Sequence, residues 1–547
     1  MISHEMQIQT IENSISLLKY AVILSESSLK SFAFHTRCYF AHEPQGILDA
    51  PVTLKMLIPM INISPLQHPI RSVVLGLFLL VSFFTYHNDN FTIDYNPLRN
   101  HSYFLYPFSI INADASTNTT MQIDKNETSA QDTASGIRFE NVTNFTDNPN
   151  DSVYGQVAAS ENNVYVVWEE STTSDLSNNN YDIYIKKSAD QGETFTKNNI
   201  SAIDTSEVLN LSNNPGFSEH PQIAAYKEKV HVAWIDNSLG NKEILFSRSI
   251  DNGTTFSEAI NVSNTTNTNS HNLEISAFEN HVYIVWLDED EEGNGKILFK
   301  ASNDGGETFS NPITIAHNVN NNNDFTLPKV AAHGDNVYIA WNVADNTQGE
   351  EMITDLLYVK SSDQGNTFSP AIKLNNNGEK VGEAQLAAYN NTVYVVWGSS
   401  PYDEVTSNLF FVKSADNGNT FSNATEVRND NFVTPSNVEI TVVGNDNDDD
   451  EDGEQGLSSS SPMSQQEEEQ PYLYVTGQVA LSDQNEEIFL ASSSDNGDSF
   501  SELTSNLSNN SEFSECPSIA TSENNIYVIW QDKTPGNNEV FFTKAKV

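Results

Sequence analysis

The feature that most constrains this chain is an eight-residue motif that it repeats. Ser188-Ala189-Asp190-Gln191-Gly192-Glu193-Thr194-Phe195 recurs in closely similar form from Ser249, Ser302, Ser361, Ser414 and Ser493. The aspartates of the six copies, Asp190, Asp251, Asp304, Asp363, Asp416 and Asp495, stand 61, 53, 59, 53 and 79 residues apart. A motif recurring at a long, roughly regular period marks a repeat architecture. Its chemistry is that of a tight turn between strands. The glycines (Gly192, Gly253, Gly306, Gly365, Gly418 and Gly497) supply a left-handed backbone position,. The aspartate accepts hydrogen bonds from the turn's own N–H groups, and Thr or Ser bonds back across it.

Three further patterns share this period. A small-residue strand starts at Gln156, Gln222, Glu274, Lys329, Gln385, Glu439 and Ser518. A near-continuous apolar strand follows from Val164, Val230, Val282, Val337, Val393, Leu473 and Ile526, as expected where both faces of a sheet are covered,. A third strand leads to each motif, and a fourth follows it. The first three occur seven times and the motif six, because the chain ends at Val547 after Val540-Phe541-Phe542-Thr543. The missing fourth strand is read at Ile137–Thr143, which resembles the strands after the motifs. The expectation is an all-β, seven-bladed β-propeller of four-stranded blades, its last blade closed by the first strand of the domain.

The motif, Ser-x-Asp-x-Gly-x-Thr-aromatic, resembles the Asp-box of the BNR-repeat, sialidase-like β-propellers. That resemblance implies boxes that are structural and lie on the face away from any active site. It would also imply three arginines gripping a substrate carboxylate, a Tyr nucleophile with a Glu partner, and an Asp acid/base. The only arginines after position 136 are Arg138, Arg248 and Arg428, all placed on third or fourth strands away from the axis. The catalytic set therefore does not carry over, and no catalytic residue is assigned.

The remaining sequence sets the context. Residues 1–71 show no periodicity. Ser72 to Tyr86 is an uncharged apolar run after Arg71, read as a signal h-region or a signal anchor,. Residues 87–135 read as a disordered polar stalk, and 136–547 as the propeller. Export follows, to the exterior or the cell surface, with any membrane contact through that one N-terminal segment. Glycan acceptors are read at Asn90, Asn100, Asn118, Asn126, Asn141, Asn210, Asn261, Asn423 and Asn506,. Lys+Arg 26 against Asp+Glu 74 gives a net charge of −48, which argues against nucleic acid,. Cys38 and Cys516 are expected to be free. Gly444 to Gln470 is an insertion in blade six. Its Asp448, Asp450 and Asp452 imitate an EF-hand start, but position twelve is Ser459, so it reads as a solvated acidic loop,.

Loops joining strands two and three open on the face opposite the boxes, around the axial mouth. Two rings of residues are placed there: Glu170, Asp236, Asp288 and Asp532, two positions after a tryptophan, and Tyr154, His220, Asn272, Leu327, Glu383, Asn437 and Cys516, just before strand one. They suit a hydroxyl-rich ligand or a cation, with Ca²⁺ as the candidate ion and no other cofactor expected. The six tryptophans, recurring at one equivalent position, are read as core,. The leading expectation is a non-catalytic propeller binding a glycan or a surface protein. The alternatives are a glycoside hydrolase using mouth carboxylates and a structural envelope component.

Overall fold

A computed structural model describes residues 137–172, 180–195, 208–317, 323–345, 352–375, 380–400, 408–427, 433–444, 470–482, 485–501 and 505–547. The N-terminal extension, the apolar run 72–86, the stalk, Arg428, Cys38, the four acceptors before residue 137 and the core of the acidic insertion lie outside these residues. Among the described residues no helix is long and apolar enough to cross a membrane.

Every described element is a strand, and the strands form seven antiparallel sheets. Blade one shows the pattern: Ser152–Ser160 pairs with Asn163–Ser171, that with Tyr181–Ser188, and that with the two-residue strand Leu209–Asn210. Blade seven holds Ser514–Ser522, Asn525–Asp532 and Glu539–Lys546. Its outer edge is completed from the other end of the domain, by Arg138↔Lys546, Phe139↔Ala545, Thr143↔Phe542 and Asn144↔Phe541. The protein is thus a seven-bladed β-propeller whose last blade is closed by the first strand of the domain.

Blades bury their apolar faces against each other. All six tryptophans are buried, beside the second-strand valines, isoleucines and tyrosines. The six Ser-x-Asp turns clamp six of these seven seams. In the first, the Ser188 hydroxyl donates to Asp190 Oδ1 at 2.6 Å and accepts the Gly192 amide at 2.9 Å; Thr194 Oγ1 donates to Asp190 Oδ2 at 2.6 Å. The same bonds recur in the other copies. The motif phenylalanine packs on the preceding blade: Phe195 on Phe542 at 5.0 Å, Phe309 on Phe246 at 5.1 Å, Phe368 on Phe299 at 5.0 Å, and Phe500 on Phe411 at 5.0 Å between centroids. Such edge-to-face pairs contribute about 0.5–1.5 kcal/mol each beyond the area they bury. Gly306 has φ of +83°, and a Cβ there would sit 2.6 Å from the Phe246 ring, so conformation and space both require glycine,. A cation from the preceding blade finishes several seams: Arg248 reaches the Gly305 carbonyl at 3.1 Å, Lys413 that of Asn496 at 2.8 Å, and Lys544 that of Gln191 at 3.2 Å.

Candidate functional site

Each inner strand is interrupted near the mouth by a β-bulge, in all seven blades. The residues expected just before strand one are the bulged residues themselves, because the strand continues past them. Tyr154, His220, Asn272, Leu327, Asn437 and Cys516 all have left-handed φ, between 33° and 53°. In those six blades the bulge faces the tryptophan position; in blade five it is displaced by one residue, and Glu383 escapes the strain. A bulge re-aims the side chain it carries, and a left-handed non-glycine residue costs about 1–3 kcal/mol that its surroundings must offset. Around this ring Tyr154 and His220 contact each other across blades one and two, 4.4 Å between centroids. The Asn437 amide donates to Gln478 Oε1 at 2.8 Å. Cys516 is disulfide-bonded, which corrects the expectation of a free thiol there.

The second expected ring is placed differently. Asp236, Asp288 and Asp532 are buried rather than presented at the mouth, and Glu170 is partly buried. Asp236 Oδ2 accepts from Trp234 Nε1 at 3.3 Å, Asn214 Nδ2 at 2.8 Å and Ser218 Oγ at 2.8 Å. Asp532 repeats this with Trp530 at 3.1 Å, Asn510 at 2.7 Å and Ser514 at 3.0 Å, and Glu170 with Trp168 at 3.0 Å and Asn148 at 3.1 Å. Asp288 accepts from Thr268 and Ser270 at 2.9 and 3.2 Å. Donors from the preceding blade-to-blade connection consume these carboxylates, so they brace the ring. Strand-end acids read as water-facing because the pattern of partners is invisible until the blades stack.

The connecting segment carries a recurrent device that sequence reading passed over: Asn144-Phe145-Thr146, Asn210-Leu211-Ser212, Asn261-Val262-Ser263 and Asn506-Leu507-Ser508. In each, the hydroxyl donates to an acid opening the third strand, namely Glu539, Asp182, Glu243 and Glu487. It also accepts the next amide of that strand, from Val540, Ile183, Ile244 and Ile488. Three of the expected glycan acceptors, Asn210, Asn261 and Asn506, therefore belong to a structural turn.

At the hub, Lys329 bridges two other blades, meeting Glu274 at 2.9 Å and Glu383 at 3.1 Å. Burial opposes its charge, but Glu274 and Glu383 outweigh it and raise the ammonium pKa,. Burial lifts Glu439 to about 7 despite Lys329, with Glu274 adding to the rise. Ser518 donates to Gln156 Oε1 at 3.1 Å, tying blade seven to blade one.

Two acidic clusters, largely buried, lie on the mouth side. Between blades one and two, burial and then Glu219 push Glu169 well above the carboxylate range, while Glu219 itself is paired with Lys242. Between blades six and seven, burial raises Glu486, and burial with Glu486 takes Glu515 to about 7 against the pull of Lys533. Gln478 donates to Glu486 at 2.6 Å and accepts the Cys516 amide at 2.9 Å. The available signal was a Glu or Gln at strand positions that are apolar in sister blades, as at Glu169 and Gln531 against Ile235 and Leu287. Among the described residues, no three His, Cys, Asp or Glu side chains are grouped to hold a metal.

No known protein-family profile matches the chain, and no curated protein matches it. Solved structures similar to it include the Hadza microbial sialidase Hz136, 12% identical with TM-score 0.40, covering 73% of this chain and 66% of that one. The Trypanosoma rangeli sialidase is 10% identical with TM-score 0.40, covering 77% of this chain and 58% of that one. The alpha-l-arabinofuranosidase arb93a from Fusarium graminearum is 13% identical with TM-score 0.38, covering 60% and 93%. The chain thus spans less than two thirds of the length of both sialidases. Likeness at this level carries no argument about chemistry.

Proposed function

We propose that this protein is an exported, non-catalytic Asp-box propeller of the sialidase-like kind that binds a glycan through its axial mouth. The observation that carries the reading is the ring of bulges, which turns Tyr154, His220, Asn272 and Asn437 out of strand register on one face. Aromatic faces, amides and acids in a shallow ring suit hydroxyl-rich ligands, which need apolar contact and many exchangeable hydrogen bonds. Among the described residues the two arginines, Arg138 and Arg248, are on outer strands, and Arg248 is committed to the next turn. A sugar carboxylate would call for bidentate arginine partners, so grip on a sialoside is disfavoured. The test is binding of the full chain to an oligosaccharide array; a blank array, with a surface protein retained instead, would replace the glycan reading.

A second reading is glycoside hydrolysis, favoured by the electrostatically coupled Glu486 and Glu515 carboxyls, both raised by burial,. Turnover of fluorogenic glycosides that is abolished in Glu515→Gln would establish it; no turnover leaves the binding reading in place.

A further inference from the structure

The seam between blades six and seven is the one without a Ser-x-Asp turn, and there the described residues enclose a cavity of about 480 Å³. Ile137, Tyr474, Ser492, Phe500 and Lys546 are among its lining residues. That volume is far above the roughly 30 Å³ share of one water, so it is more than a packing defect. Register shows what stands at this place in the sister seams. There the residue after the motif phenylalanine donates its amide to the carbonyl just before the motif serine: Ser257 to Arg248, Ser369 to Lys360 and Ser422 to Lys413, each at 2.8 Å. In blade seven Glu140 donates to Lys544 in the same way, also at 2.8 Å, although the two come from opposite ends of the domain. Phe139 therefore occupies the position of the motif phenylalanine. In all six copies a glycine stands three residues before that phenylalanine, at φ between +70° and +83° and against a ring of the preceding blade. Three residues before Phe139 the sequence has Gly136, preceded by Thr133-Ala134-Ser135. The ring that would receive it is Tyr474, which pairs with Ser492 across blade six as Tyr394 pairs with Lys413 and Tyr165 with Lys187.

We propose that this cavity is a docking slot for the chain's own residues 133–136, which enter it as the glycine half of a split seventh turn. Ile137 lines the cavity, and the Cα of the residue before it stands about 3.8 Å away, so the segment starts at the slot,. Its four residues are small and uncharged, and they bring no ionic group against the Tyr474 wall,. Gly136 meets the left-handed position that the turn demands there. Ser492, where blade five has Lys413, leaves room that a long cation would fill. The slot lies on the face of the turns, so the chain before it leaves the ring on the side away from the mouth.

The experiment is hydrogen exchange on the full chain, read by mass spectrometry over residues 131–137 and, for contrast, 116–124. The result expected is exchange at 134–136 slowed at least about tenfold against the contrast peptide, as a docked turn requires. Ser492→Trp, which fills the slot from the ring side, should abolish that slowing. Gly136→Val, which takes the left-handed position only under strain, should bring exchange to within about threefold of the contrast peptide. Thermal melts confirm that Ser492→Trp is folded; should it melt early, Gly136→Val, placed before the first strand, reads the slot by itself. Equal exchange in the two peptides of the wild-type chain overturns the proposal, as does slowing that survives a folded Ser492→Trp or Gly136→Val. Slowing that depends on protein concentration, with a dimer in light scattering, puts a second copy in the slot and overturns it too.

Discussion

The seam between blades five and six and the seam between six and seven are built by the same fold from different parts. At the first, a complete Ser-x-Asp turn lies on the preceding blade: Phe500 packs on Phe411, and Lys413 reaches across to the Asn496 carbonyl. At the second there is no such turn, because blade seven borrows its outer strand from the beginning of the domain. Phe139 and Ile137 fill part of the place, joining the cluster of Tyr474, Ile488 and Leu490. What remains is a cavity of about 480 Å³ lined by Tyr474, Ser492, Phe500 and Lys546, among others. Blade six matches this: Ser492 stands where sister strands carry Arg248, Lys360 or Lys413. At this seam both halves of the clamp, the turn and the cation, are missing. Closure by a borrowed strand offsets the loss,.

The largest expected effect comes from removing that closure. A chain starting at Asp147 lacks both short strands that pair with Glu539–Lys546 and leaves blade seven with an open edge and uncovered apolar residues,. It should lose cooperative unfolding or fold only with aggregation, by thermal denaturation and light scattering. An unchanged melt would show that the ring is held by its other seams alone.

Next, Gly306→Ala should destabilise by about 2–4 kcal/mol, since a left-handed φ and a ring contact both oppose a methyl group,. Gly536→Ala, with φ of +108° but nothing within 4 Å, tests the conformational part alone and should cost about 1 kcal/mol,. Equal losses in urea titrations would remove steric contact with the preceding blade as the reason for the motif glycine.

The pH dependence separates the two kinds of acid. Glu439 and Glu515 have folded pKa values raised by burial to about 7, above the unfolded carboxylate value. The folded state therefore binds more protons than the unfolded one between those values, and stability falls as pH rises from about 4.5 to 7, by about 1–3 kcal/mol per group. The turn aspartates behave oppositely: hydrogen bonds from Ser361 and Thr367 hold Asp363 down to about 2, and their stabilisation is lost as pH falls through that range,. Melting temperature should peak near pH 4–5, and Glu515→Gln should flatten the alkaline limb. A plateau from pH 5 to 8 in the wild-type chain would contradict the burial of both glutamates.

Smaller still is the effect of glycosylation. Expressed in a glycosylating secretory host, Asn141 and Asn423, exposed and outside the strands, should carry glycans, while Asn210 and Asn261 stay unmodified. The Asn210 amide is held by Asp182 at 2.8 Å, and the Ser263 hydroxyl by Glu243. Peptide mass spectrometry reads the outcome, and full occupancy at Asn210 would mean that the turn forms after modification or not at all.

The blade count and its closure were legible in the chain because both rest on local periodicity. Apolar runs at VYVVW-like strands and a glycine at each turn are required within each repeat, so seven copies of one pattern declare seven sheets. The core role of the tryptophans followed from the same recurrence. The mouth was legible only in part. Tyr154, His220, Asn272 and Asn437 were singled out, but the bulge that re-aims them depends on register against the neighbouring strand. Asp236 and Asp532 stood at strand ends yet proved to be buried braces, because their partners, Asn214 and Asn510, come from a connection more than twenty residues earlier.

By itself, then, the sequence determined what each blade is, since turn chemistry and alternation act over a few residues. Only the tertiary structure decided what each seam does. Lys329 meeting Glu274 and Glu383, and Phe195 settling on Phe542, both depend on which blade faces which. Pairings of that kind arise from ring closure, which brings together residues whose separation along the chain carries no signal.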